Sequence, residues 1–112
     1  MVRTVVLTIA LLFLTVDLIA AGQNTDKVLS IQGFDGDRTQ LFMSGMGYGV
    51  TFLNLMLLVE GKPPFYCPPA GVTVNGRVLW ELASQVLEGP NPPDAVAIAA
   101  LEALKKTYAC GE

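Results

Sequence analysis

The chain contains no histidine, which removes the side chain that most often acts as a general base near neutral pH and as a transition-metal ligand. Its two cysteines, Cys67 and Cys110, lie 43 positions apart, and two thiolates without other ligands do not make a zinc centre. Charge is sparse as well. Only 15% of residues are charged, with seven Lys and Arg against ten Asp and Glu. Nucleic-acid binding needs clustered cations to displace counterions, and this balance supplies none. No serine stands in a nucleophile-elbow pattern, and there is no internal repeat or low-complexity tract. The expectation is a protein that is not an enzyme and uses no cofactor or metal. Asp35 and Asp37 could be imagined as an acid and base pair or a hard-metal site, but a solvated turn with a helix cap is the simpler reading.

What the chain does have begins with an apolar N-terminus. Arg3, the run Val5 to Val16 and the small-residue stretch Ala20-Ala21-Gly22 read as a secretory signal, with Asp17 as a blemish. The domain plan is therefore a signal peptide over residues 1–22 and one small domain over 23–112, released into the periplasm by cleavage after Gly22. An uncleaved anchor is the rival, although the run is short for a span of about 20 apolar residues. Without Arg3 and Asp17 the remaining chain carries six basic and nine acidic side chains. In an oxidising compartment an even cysteine count favours a disulfide.

The spacing predicts an all-α fold, a small bundle of about four helices, one short and three longer, with one disulfide. The short helix covers Asp26 to Gln32 with Thr25 as cap, and Gly33 and Gly36 break it. A long element follows from Arg38 to Glu60 with no proline and no charge between its ends. Its core, Leu41 to Val59, is weighed as a transmembrane helix and, against that, as a central helix buried all round. In the buried reading Gly45 and Gly49 mark a close helix crossing, and Phe42, Gly45, Gly49, Phe52, Leu53 and Met56 share a face. Gly61-Lys62-Pro63-Pro64 ends the element. Thr73 is expected to cap a third helix, with Val74, Val78, Leu79, Leu82 and Val86 on one face, closed by Gly89-Pro90. Asn91 caps a fourth, running to about Tyr108 with Ala97, Leu101, Leu104 and Tyr108 inward.

A binding protein needs an exposed, preorganised surface with a few anchors. Two proline-stiffened segments fit that need: Lys62 to Gly71, with Phe65 and Tyr66, and Gly89 to Asp94, with Asn91 and Asp94. Trp80 is a third candidate. Core packing is the competing reading for Phe65, Tyr66 and Trp80.

Three stretches together resemble the Rap/Tai family of periplasmic immunity proteins, which protect bacteria against peptidoglycan amidases delivered by type VI secretion. They are Met43-Ser44-Gly45-Met46-Gly47-Tyr48-Gly49-Val50, then Phe65-Tyr66-Cys67-Pro68-Pro69-Ala70-Gly71-Val72-Thr73, and Ala100-Leu101-Glu102-Ala103-Leu104 leading to Tyr108-Ala109-Cys110. The resemblance spans roughly Leu41 to Cys110. Two departures stand out: positions near Ile31 and at Met43 lack the second cysteine pair of many members, and Gly76 stands where a capping-box Gln is usual. The resemblance implies a small secreted all-α domain, often a homodimer, that inhibits a secreted cell-wall amidase by binding it. A small periplasmic helical stress protein or chaperone, and a small membrane protein with residues 41–59 inserted, are the alternatives.

Overall fold

The computed structural model describes residues 27–111. The expected signal peptide, its cleavage after Gly22 and the Thr25 cap lie outside them. Within the described residues the order is β1 (Ser30–Ile31), α1 (Gly36–Val59), α2 (Gly76–Ser84), β2 (Pro90–Asn91) and α3 (Pro93–Thr107). The chain is mostly helical, with three helices among the described residues, and Cys67 is bonded to Cys110.

The short first helix is not there. Leu29 and Ile31 are buried while Val28, Ser30 and Gln32 are exposed, an alternation of period two that suits an extended strand. Ser30 N donates to Gly89 O at 2.9 Å and Gln32 N to Asn91 O at 2.9 Å, so β1 runs parallel to β2 with Ser30 opposite Pro90. Gly89 N donates back to Lys27 O at 3.3 Å, and the parallel register asks for no donor at Pro90, so its missing N–H costs the pair nothing.

Asp35 caps α1, its carboxylate accepting from Arg38 N at 2.8 Å, which is the turn-and-cap role. At the other end Gly61 takes φ +71°, Gly61 N donates to Leu58 O and Lys62 N to Leu57 O. That double closure satisfies two of the last carbonyls, and the left-handed residue it needs is the glycine.

Helix α2 is the middle layer, packed on α1 on one side and on α3 on the other. Leu79 of α2 with Val96 and Leu104 of α3 are the largest fully buried side chains. The expectation that α1 is buried all round is overturned: of its 24 residues only Met43, Gly47 and Val50 are buried. A nine-residue α2 covers one face of a helix this long and leaves the rest bare.

The glycines that permit close approach are likewise different ones. A Cβ on Gly45 or Gly49 would meet nothing within 4 Å, whereas one on Gly47 would lie 2.8 Å from Gly76 N and one on Gly76 2.7 Å from Met43 C. The backbones of α1 and the start of α2 touch there. This also moves the cap: Thr73 is exposed ahead of the helix, and Asn75 caps α2 by accepting from Val78 N at 3.0 Å. Gly76 is the first helical residue because no side chain fits against Met43 and Ser44. Helix α2 ends at Ser84, so Val86, expected on its inner face, is 63% exposed. In α3 the inward stripe is Val96, Ala100 and Leu104, one position off the expected Ala97 and Leu101; Leu104 is common to both.

Candidate functional site, a braced proline loop

The segment from Lys62 to Asn75 joins α1 to α2 without regular structure, yet its first half is held from several sides. Asn54, on the inward face of α1 one turn beyond Val50, accepts from Phe65 N at 2.7 Å and donates its Nδ2 to Tyr66 O at 2.7 Å. One amide side chain thus serves as a backbone strand for the loop, using both its donor and its acceptor. Cys67 N donates to Tyr108 O at 2.7 Å, beside the disulfide to Cys110, whose Cα atoms are 4.9 Å apart. Lys105 Nζ lies 5.1 Å from the centroid of the Phe65 ring, within cation–π range. The loop is therefore fixed to α1 by an amide and to the end of α3 by a covalent bond, a hydrogen bond and a stacked cation.

Beyond the disulfide the chain turns outward. Val72 N donates to Pro69 O at 3.1 Å, closing a turn with Gly71 at φ +84° in its third position. That is the type II arrangement, in which glycine is favoured at the position of positive φ. Pro69, Ala70, Gly71 and Val72 are all exposed, so the tip is a small, uncharged, stiff projection on a fixed base.

The five expected partner-binding residues are distributed over three segments. Tyr66 is buried, only 4% exposed, so it belongs to the core and is not available as an anchor. Phe65 is half-buried beneath Lys105. Trp80 is half-buried and lines a cleft of about 440 Å³ with Thr39, Gln40, Met43, Asn75 and Arg77. Asn91 does not cap α3; it sits in β2, and its Nδ2 donates to Glu88 O at 2.9 Å, while Pro92 occupies the cap position. Asp94 is exposed in the first turn of α3, its carboxylate accepting from Ala95 N at 3.1 Å. Phe65 and Tyr66 come together on Asn54; no hydrogen bond joins them to Trp80, Asn91 or Asp94 among the described residues.

Asn54 is the contributor that sequence reasoning passed over. Its signal was present: the one amide between Leu41 and Val59, at the spacing 43, 47, 50, 54. Among the described residues no three His, Cys, Asp or Glu side chains gather to hold a metal, and no polar or charged residue is buried. The chain matches no family model, no curated protein and no solved structure.

Proposed function

We propose that this protein is a periplasmic immunity protein that binds a secreted peptidoglycan amidase and blocks it sterically, without turnover. The observation that carries the reading is the braced loop. An inhibitor that acts by occupying a groove gains affinity when its inserted segment is already ordered, because little conformational entropy is lost on docking. The turn Pro69–Val72 on its anchored base fits that requirement, and it lies within the second of the three stretches resembling the Rap/Tai family. The absence of histidine from the chain is consistent with a role that asks no chemistry of the inhibitor. Export to the periplasm, where the disulfide would form, belongs to the same proposal.

The test is capture and inhibition. The exported chain is expected to form a one-to-one complex with a hydrolase encoded beside its gene and to stop that enzyme from cleaving peptidoglycan. Ala70→Arg, at the tip, is expected to weaken the complex by about thirtyfold or more, the ~2 kcal/mol scale of an interface hot spot. Recovery of no such hydrolase, or a complex indifferent to Ala70→Arg, defeats the proposal.

A further inference from the structure

Helix α1 carries few polar side chains along most of its length, and they are not scattered. Between Gln40 and Val59 five residues bear a side-chain oxygen or nitrogen: Gln40, Ser44, Tyr48, Thr51 and Asn54. Asn54 serves the loop. At 100° per residue the other four fall within about 80° of one another, on a ridge beside the inward line of Met43, Gly47 and Val50. Two clefts open along that ridge, where the chain returns through Thr73 and Asn75 to begin α2. One, of about 440 Å³, reaches Gln40, Arg77 and Trp80; the other, of about 310 Å³, reaches Tyr48, Thr51 and Thr73. They meet at Ser44, Asn75 and Gly76, so together they make one trough of the size that takes a small organic ligand. Among the described residues no hydrogen bond engages the side chains of Gln40, Ser44, Tyr48 or Thr73, or the indole N–H of Trp80.

We infer that this trough binds an oligosaccharide carrying a carboxylate. Its lining selects that chemistry. Hydroxyls and an amide that both donate and accept match the hydroxyls of a sugar, which do the same. One aromatic ring lines each cleft, Trp80 in the first and Tyr48, 71% exposed, in the second. The negative face of such a ring attracts the weakly positive C–H side of a pyranose and shields it from water. Arg77 supplies the one charge in either lining, while Asp37 borders a neighbouring hollow beyond Gln40. Glu81 holds the guanidinium through Nε, at 3.3 Å, so the terminal nitrogens keep their donors for a ligand carboxylate.

Other ligands match the lining less well. The phosphates of a nucleotide call for clustered cations, and one arginine paired with a glutamate is not a cluster. An extended peptide docks on a strand edge or in an apolar groove, whereas this trough presents side-chain hydroxyls and helical backbone that is already bonded. Length favours several linked rings over one. From Gln40 to Thr51 the ridge extends about 16 Å, at 1.5 Å per residue. The inference goes beyond the immunity reading and needs no hydrolase.

The test uses the full chain and two tetrasaccharides: one alternating N-acetylglucosamine with N-acetylmuramic acid, which carries carboxylates, and chitotetraose, which is neutral. Trp80 is the one tryptophan in the chain, so its fluorescence reports directly on the first cleft. The acidic tetrasaccharide is expected to shift that emission and to bind with a dissociation constant below about 1 mM, about fivefold or more tighter than chitotetraose. Arg77→Gln is expected to remove the preference and leave chitotetraose binding unchanged. Ser44→Leu, which sets a bulky side chain where the two clefts meet, is expected to weaken both sugars about tenfold or more by calorimetry, with the helical circular dichroism unchanged. Both residues lie outside the core, so neither change should harm folding. Ile98→Lys, on the exposed side of α3, is expected to alter neither affinity. An emission that no sugar changes at millimolar concentration, a chitotetraose that binds as tightly as the acidic sugar, binding that survives both Arg77→Gln and Ser44→Leu, or adenosine monophosphate bound in preference to either sugar overturns the inference.

Discussion

Asn54 shows how one polar side chain can organise a loop that has no regular structure of its own. It satisfies the N–H of Phe65 and the carbonyl of Tyr66, two groups that a turn or sheet would otherwise have to serve. Replacing it by Ala leaves both without that partner on the inner side of the loop, and the expected loss is about 2 kcal/mol of unfolding free energy, measurable as a lower urea midpoint. If the loop is the binding element, the same substitution weakens binding as well, through disorder and not through a lost contact. Asn54 could be found in the sequence only by asking where a solitary amide in an apolar run finds its partners. Tyr66 and Phe65 could not be told apart that way. Both are aromatic and adjacent, and which of them goes inside depends on the side from which the loop leaves α1.

At the scale of elements, α1 and α2 cross with their backbones in direct contact. Gly47 and Gly76 bring two backbones together with no room for a methyl group on either. Gly76→Ala is expected to destabilise the fold by about 3 kcal/mol, because the obstacles are the backbone atoms of Met43 and Ser44, which cannot rotate away. Thermal unfolding followed by circular dichroism measures it. The long helix, its proline stop and the last helix were legible because composition and punctuation speak to length. Which glycine meets a neighbour was not, since Gly45, Gly47 and Gly49 differ only in the direction they face. The helix expected before Gly33 became a strand for a related reason. Leu29 and Ile31 fit a short helix or an alternating strand equally well, and a backbone partner sixty residues away decided between them.

At the scale of the whole molecule, the bond between Cys67 and Cys110 closes a loop of 43 residues that contains α2 and α3. A cross-link of that span limits the unfolded ensemble by roughly 4 kcal/mol, a large part of the 5–15 kcal/mol typical of a domain. Both cysteines are exposed, so a mild reductant reaches the bond in the folded protein. Reduction with dithiothreitol is expected to lower the unfolding free energy, taken from the urea midpoint and slope, by an amount close to that figure, while the bond from Cys67 N to Tyr108 O keeps the loop in place until unfolding. The pairing followed from the even cysteine count and the expectation of an oxidising compartment; the bracing around it did not, since it depends on where Asn54 and Lys105 face.

The parallel pairing of β1 with β2 bears on the order of events during synthesis. Leu29 and Ile31 precede the other core residues in the chain, but the strand that fixes their place, Pro90–Asn91, is made sixty residues later. Cys110 comes later still. The pairing that covers Leu29 and Ile31 therefore cannot form until a segment about sixty residues further along the chain has been made.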